Sequence, residues 1–397
     1  LKNFVQLMLN DILHLDINTQ NDKNKTQARS TVAQTWDQIA ADLEFAKANL
    51  PQPANARGRL NCHAANALYA RAMLYAERYD KAKAGVQAII DSGKYGYIDD
   101  YSAIFKDLTN KEVIWGYGYY AGILTHSFDQ KYSQPGDICT NDGKGSGYAG
   151  PTQEFVDSYD YADGTPFDIS DAANRYITNE NASARDPRLA ASVMWNGSTW
   201  KGRALECYEG AVDQKYMPYG TVNTPGNTVT GYYIRKMMDE SNHDFLVNGS
   251  YQPWIEFRYA EMMLIYAECL AHEGKYADAR NVVADLRKAR FGREDVATPA
   301  VSDLETALDL ILKERATELC FEGHRFWDLR RTGRAAEVLG GKKYNGVLWK
   351  KNADGSFTPT AVSCDMGARK YPTKFDAFPI PQNEISNNSK AIQNPGW

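Results

Sequence analysis

Two stretches of this chain, 197 positions apart, carry the same spacing of small and apolar residues, and this repeat constrains the fold more than any other feature. His63–Glu77 followed by Tyr79–Ser92 reads as a helix, a tight turn and a second helix. Arg258–His272 followed by Tyr276–Arg290 reads the same way. At that offset Tyr69 matches Tyr266, Ala70 matches Ala267, Tyr79 matches Tyr276, Ala82 matches Ala279 and Val86 matches Val283. One helix pair cannot bury its own apolar face, so units of this kind must stack on one another. Thr35–Asn49, which stops before Pro51, and Leu304–Gly323 add two further long helices.

The small-residue positions, and the tyrosine that opens each second helix, suit tetratricopeptide-like packing. The Trp and the terminal Pro of the full pattern are absent, so the units are degenerate. Between them the pattern changes. Glu112–Tyr117 reads as a short strand, and the Gly- and Tyr-rich tract 118–150 reads as loop. Pro151–Tyr159 is helical with Thr152 as its cap, and Asn196-Gly197 predicts a hairpin turn between Ser192–Trp195 and Thr199–Lys201. The expected fold class is all-α dominated: degenerate tetratricopeptide-like hairpins with a long loop-rich insertion containing short strands. A long irregular insertion in a helical scaffold is where function concentrates.

Composition excludes several classes. A net charge of −5 argues against nucleic acid as a partner. No run of 18 apolar residues exists, so nothing in the sequence spans a membrane as a helix. The chain opens on an apolar, helix-like segment, Phe4–Leu15, with no signal peptide before it. The six cysteines form no close pair and the six histidines no metal-ligand spacing, so neither a disulfide framework, a metal site nor a cofactor is expected. Aromatics are abundant, with 25 Tyr, 14 Phe and 8 Trp. Tyr and Trp offer a flat apolar face with a polar edge, suited to wet, partly polar ligands as well as to interhelical packing.

Leu312–Gly333, LKERATELCFEGHRFWDLRRTG, is the densest stretch. Leu304, Leu308, Ile311, Leu312, Ala316, Leu319 and Cys320 fall on one helical stripe, and Ser302 with Glu305 reads as a capping box. Arg315, Glu318 and Glu322 flank that stripe and read as a partly desolvated ion-pair ladder. Glu314, Glu318, Glu322 and Asp328 are the candidate acid–base carboxylates of a hydrolase. They lie along one helix and its continuation, whereas a glycosidase pair faces itself across a cleft. A structural network is the stronger reading.

This segment resembles the ERxxEL-FEGxRxxDLRR signature of the SusD/RagB family of outer-membrane nutrient-binding lipoproteins. Five more stretches resemble that family in the same order. They are Arg59–Ala82, Pro151–Gly164 (PTQEFVDSY then DG), Ala184–Leu189 (ARDPRL), Tyr232–Lys236 with Ile255–Cys269, and Pro379–Trp397 (PIPQNEISNNSKAIQNPGW). The family's signal peptide, lipidated cysteine and further N-terminal helical portion are not visible before Leu1, and part of the family's ligand surface comes from that portion. The resemblance implies one domain over residues 1–397. Within it, 1–98 would be an N-terminal helical part with the first hairpin, 99–254 the insertion and ligand surface, 255–335 a second helical part and 336–397 an irregular tail.

The resemblance further implies a non-catalytic, cell-surface protein of the outer membrane. It would be held by a lipid anchor that this chain lacks, and would capture a glycan for a SusC-like TonB-dependent transporter. A peptide-binding or protein-interaction scaffold of the same family is the alternative, and an all-α glycoside hydrolase a lesser one. Sugar rings pack on aromatic planes while their hydroxyls need polar partners. Trp195 and Trp200, flanking the Asn196-Gly197 turn, are therefore the first expected stacking platforms. Tyr119, Tyr120, Tyr132, Tyr148 and Tyr208, with Asn141 and Asp142, complete the candidate set, the stretch 119–148 being the second choice of site.

Overall fold

The computed structural model describes residues 28–53, 59–139, 143–213 and 228–397. Helix α1 (Val32–Asn49) starts at a capping box, Thr31 with Gln34, and buries Trp36, Ile39 and Ala40. It lies on α2 (Cys62–Tyr75), whose cap Asn61 accepts from the Ala64 amide, and α2 lies on α3 (Tyr79–Asp91). The close approach of α2 and α3 depends on Gly85, where a Cβ would stand 3.0 Å from the Asn66 carbonyl oxygen. Alanines 64, 67, 70 and 72 of α2 are buried at the same interface.

Strand β1 (Val113–Tyr117) follows, then the short helices α4 (Phe128–Tyr132), α5 (Gln153–Asp157) and α6 (Pro187–Ser192). Thr152 caps α5 by accepting from Phe155, as its sequence predicts. β2 (Val193–Met194), β3 (Thr199–Trp200), β4 (Arg203–Ala204), β5 (Tyr233–Ile234) and α7 (Phe245–Asn248) lead to β6 (Trp254–Arg258). β6 pairs antiparallel with β1 and runs directly into α8 (Tyr259–His272). α9 (Tyr276–Phe291) and α10 (Leu304–Glu318) complete the array.

The helices pack in the order α1, α2, α3, α8, α9, α10, which brings the two hairpins side by side although 167 residues lie between Asp91, the end of α3, and Tyr259, the start of α8. Tyr79 and Tyr276 each open their second helix, and the Tyr79 ring stacks on His272 at 3.6 Å across the hairpin junction. Helix-dominated architecture with few short strands is what the sequence predicts.

Three local expectations are corrected. The cap of α10 is Asp303 with Thr306, not Ser302 with Glu305, because the Asp303 carboxylate reaches the Thr306 amide at 2.8 Å. α10 also stops at Glu318; Phe321 takes a φ of 62° and Gly323 one of 83°, so Glu322 lies beyond the helix. The Asn196-Gly197 turn does not join two paired strands. β2 pairs with β5 and β3 with β4, so the hairpin turn lies instead at Lys201-Gly202.

The tail holds more order than its sequence signals. α11 (Arg325–Arg331) and α12 (Ala335–Leu339) precede a seven-rung antiparallel hairpin, β7 (Asn345–Lys351) with β8 (Phe357–Ser363), and α13 (Gln382–Asn387) follows. Val347 and Trp349 of β7 pack with Tyr159, Leu189, Val193, Trp195 and Tyr232 of the insertion. The last residues are tied down by aromatics: Trp397 stacks on Phe375 at 5.7 Å and donates its indole N–H to the Ala377 carbonyl at 2.8 Å. All six cysteines are free and buried.

Candidate functional site

The charges of the 312–333 signature form a buried network that reaches well outside their own helix. Glu318 accepts from Arg258 at 2.7 Å, Arg290 at 2.9 Å and Arg188 at 2.9 Å. Glu322 accepts from the Arg258 guanidinium at 2.7 Å and from Lys236 at 2.7 Å. Glu314 accepts from Arg188 at 2.6 Å and Arg287 at 3.2 Å. Arg315 pairs with Asp328 at 2.8 Å, not with Glu318 or Glu322, so the expected ladder along the helix is corrected to a web between elements. The physical reason is the early end of α10, which takes Glu322 off the helical flank.

Burial alone would raise the pKa of Glu318; Arg290, Arg258 and Arg188 outweigh it and hold the carboxyl well below its usual range. Burial likewise acts against Glu322, yet Arg258 and Lys236 bring it down to about 2. Glu314, Glu318, Glu322 and Asp328 are all 4% exposed or less and already ion-paired. None of them faces a cleft as a catalytic acid does.

The network borders a cavity at Lys236. Its ammonium is fixed by Glu322 and by the Glu318 carbonyl at 2.9 Å, and lies 4.9 Å from the Tyr101 ring and 4.8 Å from the Phe105 ring. These side chains form the floor of a cavity of about 530 Å³. Its rim is polar, with Asp100, Lys106, Asp239 and Tyr251, and with Arg235 paired to Glu240 at 3.0 Å.

A second cavity of about 290 Å³ shares Met237 and Gln252 with the first. Its position follows from the β1–β6 pair. β1 ends at Tyr117 opposite Trp254, where β6 begins, so the loops attached there emerge together. They are stitched by His126 and Ser250, whose amides and carbonyls exchange hydrogen bonds of 2.8 and 2.7 Å. Tyr119, Phe128, Tyr132 and Trp254 give this cavity aromatic walls. Tyr119 stands edge-on to the His126 ring at 4.5 Å, and Phe128 leans on Tyr132 at 4.6 Å.

Two polar side chains hold these walls. The His126 Nδ1 accepts from the Phe128 amide at 3.2 Å, which places the proton on Nε2, donating to the Gln252 carbonyl at 3.0 Å. Asp129 is fully buried and has no cation within ion-pair distance among the described residues. Its carboxylate accepts from the Asp239 amide (3.0 Å), Ser250 Oγ (2.9 Å), Gln252 Nε2 (3.1 Å) and Asn242 Nδ2 (3.3 Å). Burial pushes its pKa up, and these hydrogen bonds oppose the rise. Met237, at the junction of the cavities, holds a φ of 66°, an uncommon conformation for a residue with a side chain.

The sequence-derived candidates divide accordingly. Tyr119 and Tyr132 line the aromatic cavity. Tyr148 is 61% exposed beside it, with the Lys131 ammonium 5.0 Å from its ring centre. Tyr120 is 60% exposed on the adjoining turn, outside the wall. Tyr208 packs elsewhere, on Phe357 at 5.4 Å and in a bridge with Trp349. Asn141 and Asp142 lie outside the described residues.

The expectation of exposed tryptophans is overturned. Trp195 is 4% and Trp200 1% exposed, and their indole N–H groups are taken up by Asn179 and Asp137, both at 3.1 Å. The turn is not an exposed one, since Asn196 is only 8% exposed; Val347 and Trp349 of β7 pack with Trp195, and Tyr233 of β5 packs with Trp200. Phe128, Lys131, Gln252 and Trp254 were missed; the one available signal was Trp254–Arg258 as a strand partner for Glu112–Tyr117. Among the described residues no group of acidic, His and Cys side chains is arranged to hold a metal, and no helix is long and apolar enough to cross a membrane.

Comparison with known proteins bears on this geometry. The pattern of the SusD family matches residues 111–397, well over half of the chain, and the chain belongs to that family. SusD-like protein P2 of Formosa agariphila is 26% identical over 98% of this chain and 70% of its own length. SusD-like protein P38 of the same organism is 39% identical over 24% of this chain, a fifth of that relative. A SusD-like protein of Bacteroides fragilis superposes with a TM-score of 0.82 at 26% identity, over 98% of this chain and 76% of its own. A second structure from that organism, described as a SusD-like carbohydrate binding protein, gives 0.77 at 24% identity over the same shares.

Proposed function

We propose that this member of the SusD family captures an oligosaccharide or polysaccharide without cleaving it, at the two neighbouring cavities that share Met237 and Gln252. The observation that carries the reading is the aromatic cavity itself. Tyr119, Tyr132, Phe128 and Trp254 offer planes for the C–H faces of a sugar ring. The adjoining polar rim of Asp100, Lys106, Asp239 and Tyr251 offers partners for hydroxyls. A related fold described as carbohydrate binding supports the same ligand class. Capture rather than turnover accords with the signature carboxylates Glu318 and Glu322 being buried in ion pairs and with Asp129 being turned inward among neutral donors. The captured glycan would pass to a SusC-like TonB-dependent transporter at the outer cell surface, where a lipid anchor on the full-length protein would hold it.

Titration calorimetry across a glycan panel tests the reading. The expected result is binding by the wild-type chain, weakened about tenfold or more by Tyr119→Ala, the scale of an aromatic anchor. No binding across the panel, or binding indifferent to Tyr119→Ala and Tyr132→Ala together, would refute it.

A further inference from the structure

The aromatic cavity carries a charge asymmetry that the larger cavity does not. Of the residues that line it, Lys131 is the one lysine or arginine, both ring nitrogens of His126 are taken up by the Phe128 amide and the Gln252 carbonyl, and no carboxylate stands in the wall. Lys131 makes no ion pair among the described residues; its ammonium faces the Tyr148 ring instead. Asp129, two positions earlier on α4, points into the protein, as residues two apart on a helix do not share a face. In the larger cavity Arg235 and Lys236 are already matched by Glu240 and Glu322.

Resting on the capture reading above, we infer that the aromatic cavity selects a sugar bearing an anionic oxygen, the carboxylate of a uronic acid or a sulfate ester, bound by Lys131. A neutral ring entering this space strips water from the ammonium and returns nothing to it, which costs free energy. An anionic substituent converts the same desolvation into a charge-assisted hydrogen bond. The aromatic planes hold the ring while the ammonium reads its substituent, so affinity and selectivity come from different side chains. Such a contact, lying at a cavity edge, weakens as salt rises.

The test is calorimetry with three length-matched oligosaccharides, one neutral, one of uronic acids and one sulfated, at low and at high salt. Binding of at least one anionic ligand about tenfold tighter than the neutral one is expected, with the advantage shrinking in high salt. Which anionic ligand wins distinguishes carboxylate from sulfate. Lys131→Gln should abolish the advantage and Lys131→Arg should retain it, with thermal melting confirming that both variants fold. Equal affinity for all three ligands, or an advantage that survives Lys131→Gln, overturns the inference. Neutral-ligand binding that is lost in Tyr119→Ala would then leave the capture reading standing, whereas the absence of any binding removes both.

Discussion

Glu322→Ala isolates the energetic role of the buried network. The carboxylate is 4% exposed and takes hydrogen bonds of 2.7 Å from Arg258 Nε, Arg258 Nη2 and Lys236 Nζ. Arg258 keeps Glu318 and Glu112 after the substitution, but Lys236 loses the one carboxylate it pairs with among the described residues. The pKa of Glu322 falls from 4.5 to about 2 on folding. At ~1.4 kcal/mol per unit, that is on the order of 3 kcal/mol of charged-state stabilisation. Breaking a buried pair by removing one partner costs ~3–5 kcal/mol, in agreement. For cooperative unfolding of 397 residues, an unfolding entropy of ~2.1 cal/mol/K per residue converts the loss to roughly 4 °C in melting temperature. Differential scanning calorimetry reads it directly. A variant that melts with the wild type, or that keeps wild-type melting while losing ligand affinity, would refute a structural role for this carboxylate.

Acid should act on the same group. Its folded pKa lies below the unfolded 4.5, so the stabilisation is full above that pH and is lost as pH falls toward 2. Melting temperature should fall through this window, less steeply in Glu322→Gln, and equal slopes would contradict the assignment. Trp195→Ala empties a buried site behind β5 and β7 and should cost ~3–5 kcal/mol without altering ligand affinity; a stable variant with weakened binding would restore Trp195 to the site. Gly231→Ala places a Cβ 2.1 Å from the Val347 carbonyl at a φ of 77°, so it should lower the melting temperature by displacing β7, with ~1–3 kcal/mol of backbone strain at stake. Unchanged melting would mean that this contact is readily relieved.

What the sequence made legible was what repeats locally. Periodic apolar spacing and alanine positions are properties of one helix and its neighbour, so α2–α3 and α8–α9 could be read directly. The cleft was only half legible. Tyr119 and Tyr132 lie in a tract singled out by composition, but Gln252 and Trp254 reach the same wall through the β1–β6 pairing, and no local signal reports that register. The tryptophans failed for the same reason: a turn predicts exposure, while Val347 and Trp349, some 150 positions away, cover Trp195, and Tyr233 and Met238 cover Trp200. The β7–β8 hairpin was passed over because its outer face is largely solvated and its alternation weak, although Asp354-Gly355 marks its turn. The ion pairs of the signature are buried, but the arginines at 188, 258, 287 and 290 come from three other elements, which spacing within α10 cannot reveal.

The central claim is that a glycan sits in the two neighbouring cavities. A crystal structure of the chain with a bound oligosaccharide measures this directly. The account expects a sugar ring against Tyr119 and Tyr132, with the chain continuing past Met237 and Gln252 toward the rim at Asp100 and Tyr251. Sugar density seated on another surface, such as the exposed Phe326 and Phe378, with the cleft empty, would contradict it.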